Sequence, residues 1–278
     1  MFLQFDFFEE KYCPTLLGWI LLRKIRFKSA IRCVQTKEKM AWTIENGYFK
    51  PVPIRYKNHV WREVRRLLPP IHDMCMELDA TLYLRGSTLE ARDPHPLSDI
   101  DFVLVSKREH WMCLHQLIRN IMDIERRPVD LYLMQPCDIE TDILMRLLLH
   151  TRSEYLVGPK RNIQPVKADF HTAKVHWDKF AVWKVPDALI SNHEANACMV
   201  KQLLRSIGPI ELVNHGRFSR HLPTCLKWVE ERAPKNIISH FQQAWYNMGS
   251  LQNPPVVIQP ARDWLIDQWN QIIINYGA

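Results

Sequence analysis

Between Tyr56 and Leu68, apolar residues recur at helical spacing (Val60, Val64, Leu67 and Leu68) until the Pro69-Pro70 pair interrupts the pattern. Ile71, Met74, Cys75 and Leu78 resume it, which predicts two helical pieces, or one bent helix, leading up to residue 80. The period then changes from helical to extended. Thr81 to Arg85 is rich in β-formers, Ile100 to Val105 is a continuous apolar run behind Asp99, and Val129 to Met134 is a third extended stretch. Between the second and third stretches, Trp111, Leu114, Leu117, Ile118, Ile121 and Met122 share one helical face. The resulting β, β, α, β order predicts a small mixed sheet flanked by helices, an α/β (α+β) arrangement. A further helix is predicted over Asp138 to His150, with Ile139, Ile143, Leu144, Leu147 and Leu148 on its buried side.

Beyond Gly158 and Pro159 the chain reads as long helical patterns, broken by Pro186, Gly208-Pro209, Pro223, Pro234 and Pro254-Pro255. An all-helical C-terminal domain is expected there, and no fixed repeat appears. Trp177, Trp183, Trp228, Trp245, Trp264 and Trp269 fall at helical spacing in this part and are read as core. The expected organisation is a basic N-terminal extension over 1–39, a sheet domain over 40–158 and a helical domain over 159–278. A length of 278 residues allows for one large domain or two ordinary ones. With 47% hydrophobic and 24% charged residues, disordered, collagenous and membrane-embedded classes are excluded.

The net charge of +7 is unevenly spread: residues 1–70 hold 14 Lys and Arg against 6 Asp and Glu. The basic excess therefore belongs to the N-terminal quarter, where Arg23, Lys24, Arg26 and Lys28 form either a phosphate-binding stretch or a solvated helix face. Seven scattered cysteines, odd in number and without zinc-site spacing, are read as reduced thiols of a cytoplasmic protein. The longest uncharged apolar stretch near the start, Pro14 to Leu22, is shorter than the about 20 residues a membrane helix needs, and acids precede it, so neither a span nor a secretory signal is expected. His110/His115 and His171/His176 are spaced by five, which puts each pair on different helix faces, and they are not read as metal ligands. His95 lies between two prolines and is read as a solvated loop residue.

Candidate chemistry concentrates in residues 82–105, LYLRGSTLEARDPHPLSDIDFVLV, and in PVDLYLM at 128–134. Gly86-Ser87 ends a strand and precedes a short helix-compatible run, so backbone N–H groups and the Ser87 hydroxyl can face an anion. Asp99 and Asp101 stand two apart at the start of a strand, and side chains at that spacing leave on the same face. Two bare carboxylates so placed repel one another unless a cation neutralises them, which points to a metal. Asp130 stands inside Val129-Asp130-Leu131, where the neighbours predict burial in a central strand. A buried carboxylate there needs a partner cation, shared with the other two acids.

Gly-Ser, eleven residues, Asp-x-Asp and a third acid in a following strand resemble the signature of the nucleotidyltransferase superfamily. DNA polymerase β, aminoglycoside adenylyltransferases and small antitoxin-type nucleotidyltransferases share that signature, and the match covers roughly residues 80–134. The string from Leu97 to Val105, LSDIDFVLV, is similar to the form in aminoglycoside adenylyltransferases. The resemblance implies a minimal nucleotidyltransferase sheet followed by a helical domain. It also implies transfer of a nucleoside monophosphate, AMP from ATP by expectation, to an acceptor hydroxyl with release of pyrophosphate. Asp99, Asp101 and Asp130 would hold two Mg(II), with Asp130 also helping to deprotonate the acceptor. Gly86 would admit the phosphates and Ser87 would donate to them. From the helical domain, Lys201 first and Arg220 second are expected to meet the triphosphate. The acceptor is left open between a small molecule, a protein and an RNA. A non-catalytic module that binds nucleotide or RNA is the alternative from a different class.

Overall fold

The computed structural model describes residues 42–52, 56–90, 94, 98–179, 185–190, 193–248 and 256–277. The basic extension over 1–39, His95 and Trp183 lie outside the described residues.

The helical pattern after Tyr56 resolves into two separate pieces, α1 (His59–Arg66) and α2 (Pro69–Glu77). Asn58 starts the first, its side chain accepting from the Trp61 N–H. Pro69 and Pro70 start the second, where a missing N–H costs nothing. The three predicted strands are present as β3 (Thr81–Arg85), β4 (Ile100–Val105) and β5 (Val129–Met134). The short helix α3 (Ser87–Glu90) follows β3, and α4 (Trp111–Ile121) makes the crossover from β4 to β5. That crossover allows β4 and β5 to run parallel, while β3 and β4 are antiparallel. A fourth strand, β6 (Glu154–Val157), was not anticipated and completes a sheet ordered β5-β4-β3-β6. The mixed α/β class read from the sequence is thus the observed one.

The predicted Asp138–His150 helix is split into α5 (Asp138–Thr141) and α6 (Ile143–Arg152). Asp142 divides them because its side chain caps the second piece, accepting from the N–H groups of Leu144 and Met145 at 3.1 and 3.0 Å. A short hairpin, β1 (Ile44–Glu45) and β2 (Tyr48–Phe49), was also missed. Asn46 and Gly47, both at positive φ, form its two-residue turn.

Alternation along β4 fixes which side of the sheet carries the acids. Ile100, Phe102 and Leu104 point into a core shared with α1, α2 and α4. Val103 and Val105 point the other way, with Tyr83 and Met134, into a core closed by Ile139, Met145 and Leu149. Burial on both faces is why β4 reads as apolar at every position except Asp101. Asp101 shares the second face and is only partly buried.

The C-terminal half is helical, as expected: α7 (Phe170–Lys179), α8 (His193–Arg205), α9 (Ile207–His215), α10 (Leu222–Arg232), α11 (Lys235–Asn247) and α12 (Gln259–Tyr276). Trp177, Trp228 and Trp269 are buried in its core, together with Trp42, just before the hairpin, and Phe49 from the hairpin. Trp42 stacks on Phe218 at 4.8 Å between ring centroids, and the buried Glu211 is paired by Arg217 and Arg232. No helix among the described residues is long and apolar enough to cross a membrane.

Candidate active site

Strand register brings the predicted acids together. Asp101 on β4 lies opposite Asp130 on the parallel β5 and opposite Arg85 on the antiparallel β3. Three charged side chains thus form one row across three strands, on the face described above. The Arg85 guanidinium spans the acids, its Nη2 lying 3.3 Å from Asp101 Oδ1 and 3.5 Å from Asp130 Oδ2. Asp99, two residues before Asp101, is exposed and adds its charge to the group.

Burial pushes the Asp101 carboxyl up to about 6. Arg85 opposes that rise, while Asp130, Asp99 and Glu90 reinforce it by repulsion. Asp130 corrects the sequence reading: its side chain is 57% exposed, against 23% for Asp101. The reason is topological. β5 is the edge of the sheet, and its burial alternates along the strand, so the acid faces solvent and needs no buried partner.

Gly86 sits at φ +75 between Arg85 and α3. A Cβ built there would lie 2.0 Å from Asp101 Oδ2, so glycine is required both by conformation and by the carboxylate pressed against it. Its carbonyl accepts from the N–H groups of Leu89 and Glu90, which turns the chain into α3 with Ser87 leading, half-buried, beside the acids.

Near Arg85 stands a group of further arginines. Arg220 is half-buried, and its pKa is brought down to about 9, first by burial and then by the neighbouring charges of Arg205 and Arg85. Arg205 lies on α8, where burial lowers its pKa as well, and its Nε donates to the Arg220 carbonyl at 3.1 Å. Arg152, at the end of α6, also repels Arg220, while its Nη1 pairs with Glu90 at 3.0 Å and its guanidinium covers the Trp42 ring. Cations crowded and partly dehydrated in this way are stabilised by an anion placed among them. Of the predicted basic residues, Arg220 lies within the field of Arg85, which bridges the acids. Lys201 is exposed on α8, one turn before Arg205, and among the described residues no interaction joins it to the group. Sequence reasoning missed Arg85, Arg152 and Glu90, whose roles depend on strand register and on pairing between distant segments.

The donors fit a divalent cation in kind. They are hard carboxylate oxygens, the type Mg(II) prefers, and the repulsion of Asp130 and Asp99 on Asp101 is relieved by positive charge placed between them. The cation that now meets this need is the Arg85 guanidinium, and no closed group of three His, Cys, Asp or Glu arranged for a metal occurs among the described residues.

No protein-family model matches the chain, and no curated protein does. Among solved structures it is similar to an adenyltransferase. That structure is spectinomycin adenyltransferase AAD(9) from Enterococcus faecialis with ATP and spectinomycin, at 13% identity and a TM-score of 0.49. The match covers 76% of this chain and 98% of that one.

The Asp101 environment makes stability depend on pH. Its carboxyl has a higher pKa folded than unfolded, so the folded state binds the extra proton, and the associated stabilisation is complete below about pH 4 and lost as pH rises through about 6. A shift of this size corresponds to at most about 3 kcal/mol. In protein freed of divalent ions, Asp101→Asn is expected to gain about 2 kcal/mol on the wild type between pH 4.5 and 7.5, measured by urea titration. A difference that stays constant over this range would mean that Asp101 titrates as it does in the unfolded chain.

Proposed function

We propose that the protein is a Mg(II)-dependent nucleotidyltransferase that moves AMP from ATP to a hydroxyl of a small molecule, protein or RNA and releases pyrophosphate. The observation that carries this reading is the Arg85, Asp101, Asp130 row beside a glycine whose missing Cβ leaves room for the Asp101 carboxylate. Such a site combines hard anionic ligands on a rigid sheet with an approach where the backbone is bare.

In this reading Asp99, Asp101 and Asp130 hold the divalent ions, which when bound supply stabilisation of the charge that builds on the phosphate oxygens. Gly86 and the Ser87 hydroxyl receive the phosphates at the start of α3. Arg220, with Arg205 and Arg152 beside it, grips the triphosphate from the helical half and orients the α-phosphorus. Lys201 is kept as a further phosphate contact, to be reached from the exposed side of α8. The acceptor oxygen forms its bond to the α-phosphorus as the bond to the bridging oxygen of the β-phosphate breaks, so pyrophosphate departs with the electron pair. Asp130 is the more exposed acid, which lets an acceptor hydroxyl approach it and deliver its proton there.

The test incubates the purified chain with each α-labelled NTP and Mg(II), together with total RNA, lysate protein or an aminoglycoside panel. Label is expected on one acceptor class with ATP as donor, and is expected to be absent with Asp99→Asn. Nucleotide binding without label transfer under any of these conditions would favour the binding module instead.

A further inference from the structure

We propose that Arg85 is the resident counter-ion of the Asp101 and Asp130 pair, a positioning residue that holds both carboxylates together in the cation-free protein and must be displaced before a divalent cation binds. The inference rests on the metal-binding reading of these acids and adds a competitor that belongs to the chain itself.

The register leaves the two acids little choice. Neighbouring strands are about 4.8 Å apart, so carboxylates directly opposite each other repel, and one of this pair is largely buried. Arg85 stands opposite Asp101 on the other side, in the same row, and a single nitrogen, Nη2, serves both acids. Its distances of 3.3 and 3.5 Å exceed the about 2.7 to 2.9 Å of a tight charge-assisted hydrogen bond. The guanidinium is thus shared between two acids and locked onto neither. Its Nε is buried without a hydrogen-bond partner, so the side chain gives up a donor to keep this position.

A guanidinium between two carboxylates does electrostatically what a divalent ion would do there. The two cations repel at short range and compete for the same oxygens. Arg85 also lies within the field of Arg220, so its own surroundings favour departure once the acids are neutralised by another charge. Removing Arg85 should therefore strengthen cation binding while weakening the cation-free fold locally. A merely structural arginine would lower stability without improving affinity.

The experiment titrates Mn(II) into the full chain, without nucleotide, and follows the free ion by electron paramagnetic resonance. Arg85→Gln is expected to bind about fivefold more tightly than wild type or better. Its melting temperature should rise more with Mn(II) than that of wild type. Arg85→Lys keeps a cation and is expected to stay within about twofold of wild type, and Asp101→Asn is expected to lose the binding in either background. If the Gln variant does not fold, the Lys variant decides: affinity about fivefold above wild type overturns the proposal. Equal binding by wild type and Arg85→Gln, lost with Asp101→Asn, would overturn the competitor role and leave the metal site standing. Weaker binding by Arg85→Gln would also overturn it, making the arginine an organiser of the site. No Mn(II) binding by any form would remove the metal reading and this inference together.

Discussion

Asp101→Asn is expected to lower nucleotidyl transfer by about a thousandfold or more while the protein remains folded. The substitution keeps shape and removes one negative charge. Asp101 occupies the centre of the row, between Arg85 and Asp130, and is the more enclosed of the two acids, so no neighbour can take over its position. Its backbone stays paired on both sides within β4, and the flanking Ile100, Phe102, Val103 and Leu104 remain fully buried. The fold should therefore survive, and unchanged circular dichroism beside lost label transfer is the expected result. Transfer within about tenfold of wild type would show that the reaction does not run through this carboxylate.

Gly86→Ala is expected to be the most damaging conservative change near the site. The left-handed conformation costs an alanine about 1 to 2 kcal/mol, and displacing the Asp101 carboxylate adds a further overpacking cost, for a total of about 3 kcal/mol. Moving the carboxylate by about 1 Å should lower kcat/KM by about a hundredfold. Gly47 provides the control, since it has nearly the same φ, +74, and nothing within 4 Å of its would-be Cβ. Gly47→Ala should show the backbone cost alone, with activity intact. Equal thermal and kinetic effects from the two substitutions would mean that contact with Asp101 is unimportant.

Much of this site was legible in the sequence because it rests on local patterns. A run apolar but for Asp101 marks a strand buried on both faces, and Asp99 with Asp101 near its head announces two carboxylates leaving on one side. What was not legible depends on partners far along the chain. Arg85 is ordinary at a strand end until antiparallel pairing sets it opposite Asp101. Arg152 acquires its place from Glu90, 62 residues earlier. The mistaken burial of Asp130 has the same origin, because periodicity tells a strand from a helix but does not say whether that strand ends at an edge. β6 and the hairpin were too short, at four and two residues per strand, to show any period, although Asn46-Gly47 was a usable turn signal. Lys201 and Arg205 looked alike one turn apart on α8, and only packing separates the exposed one from the one held against Arg220.

The hairpin also bears on how molecules could reach the acids. Two halves joined by the chain passing from β6 to α7 alone would swing on that one hinge. The segment around the hairpin makes a second seam: Val52 N–H donates to the Thr151 carbonyl on α6, while Phe49 and Trp42 donate to Val166 and Phe218 and Ala168 donates back to Gly47. A body fastened along two lines does not rotate freely about either. On the proposed reading, access to the acids then changes when side chains such as Arg85 turn, and binding should be limited by these fast rotations and not by slow opening of the halves.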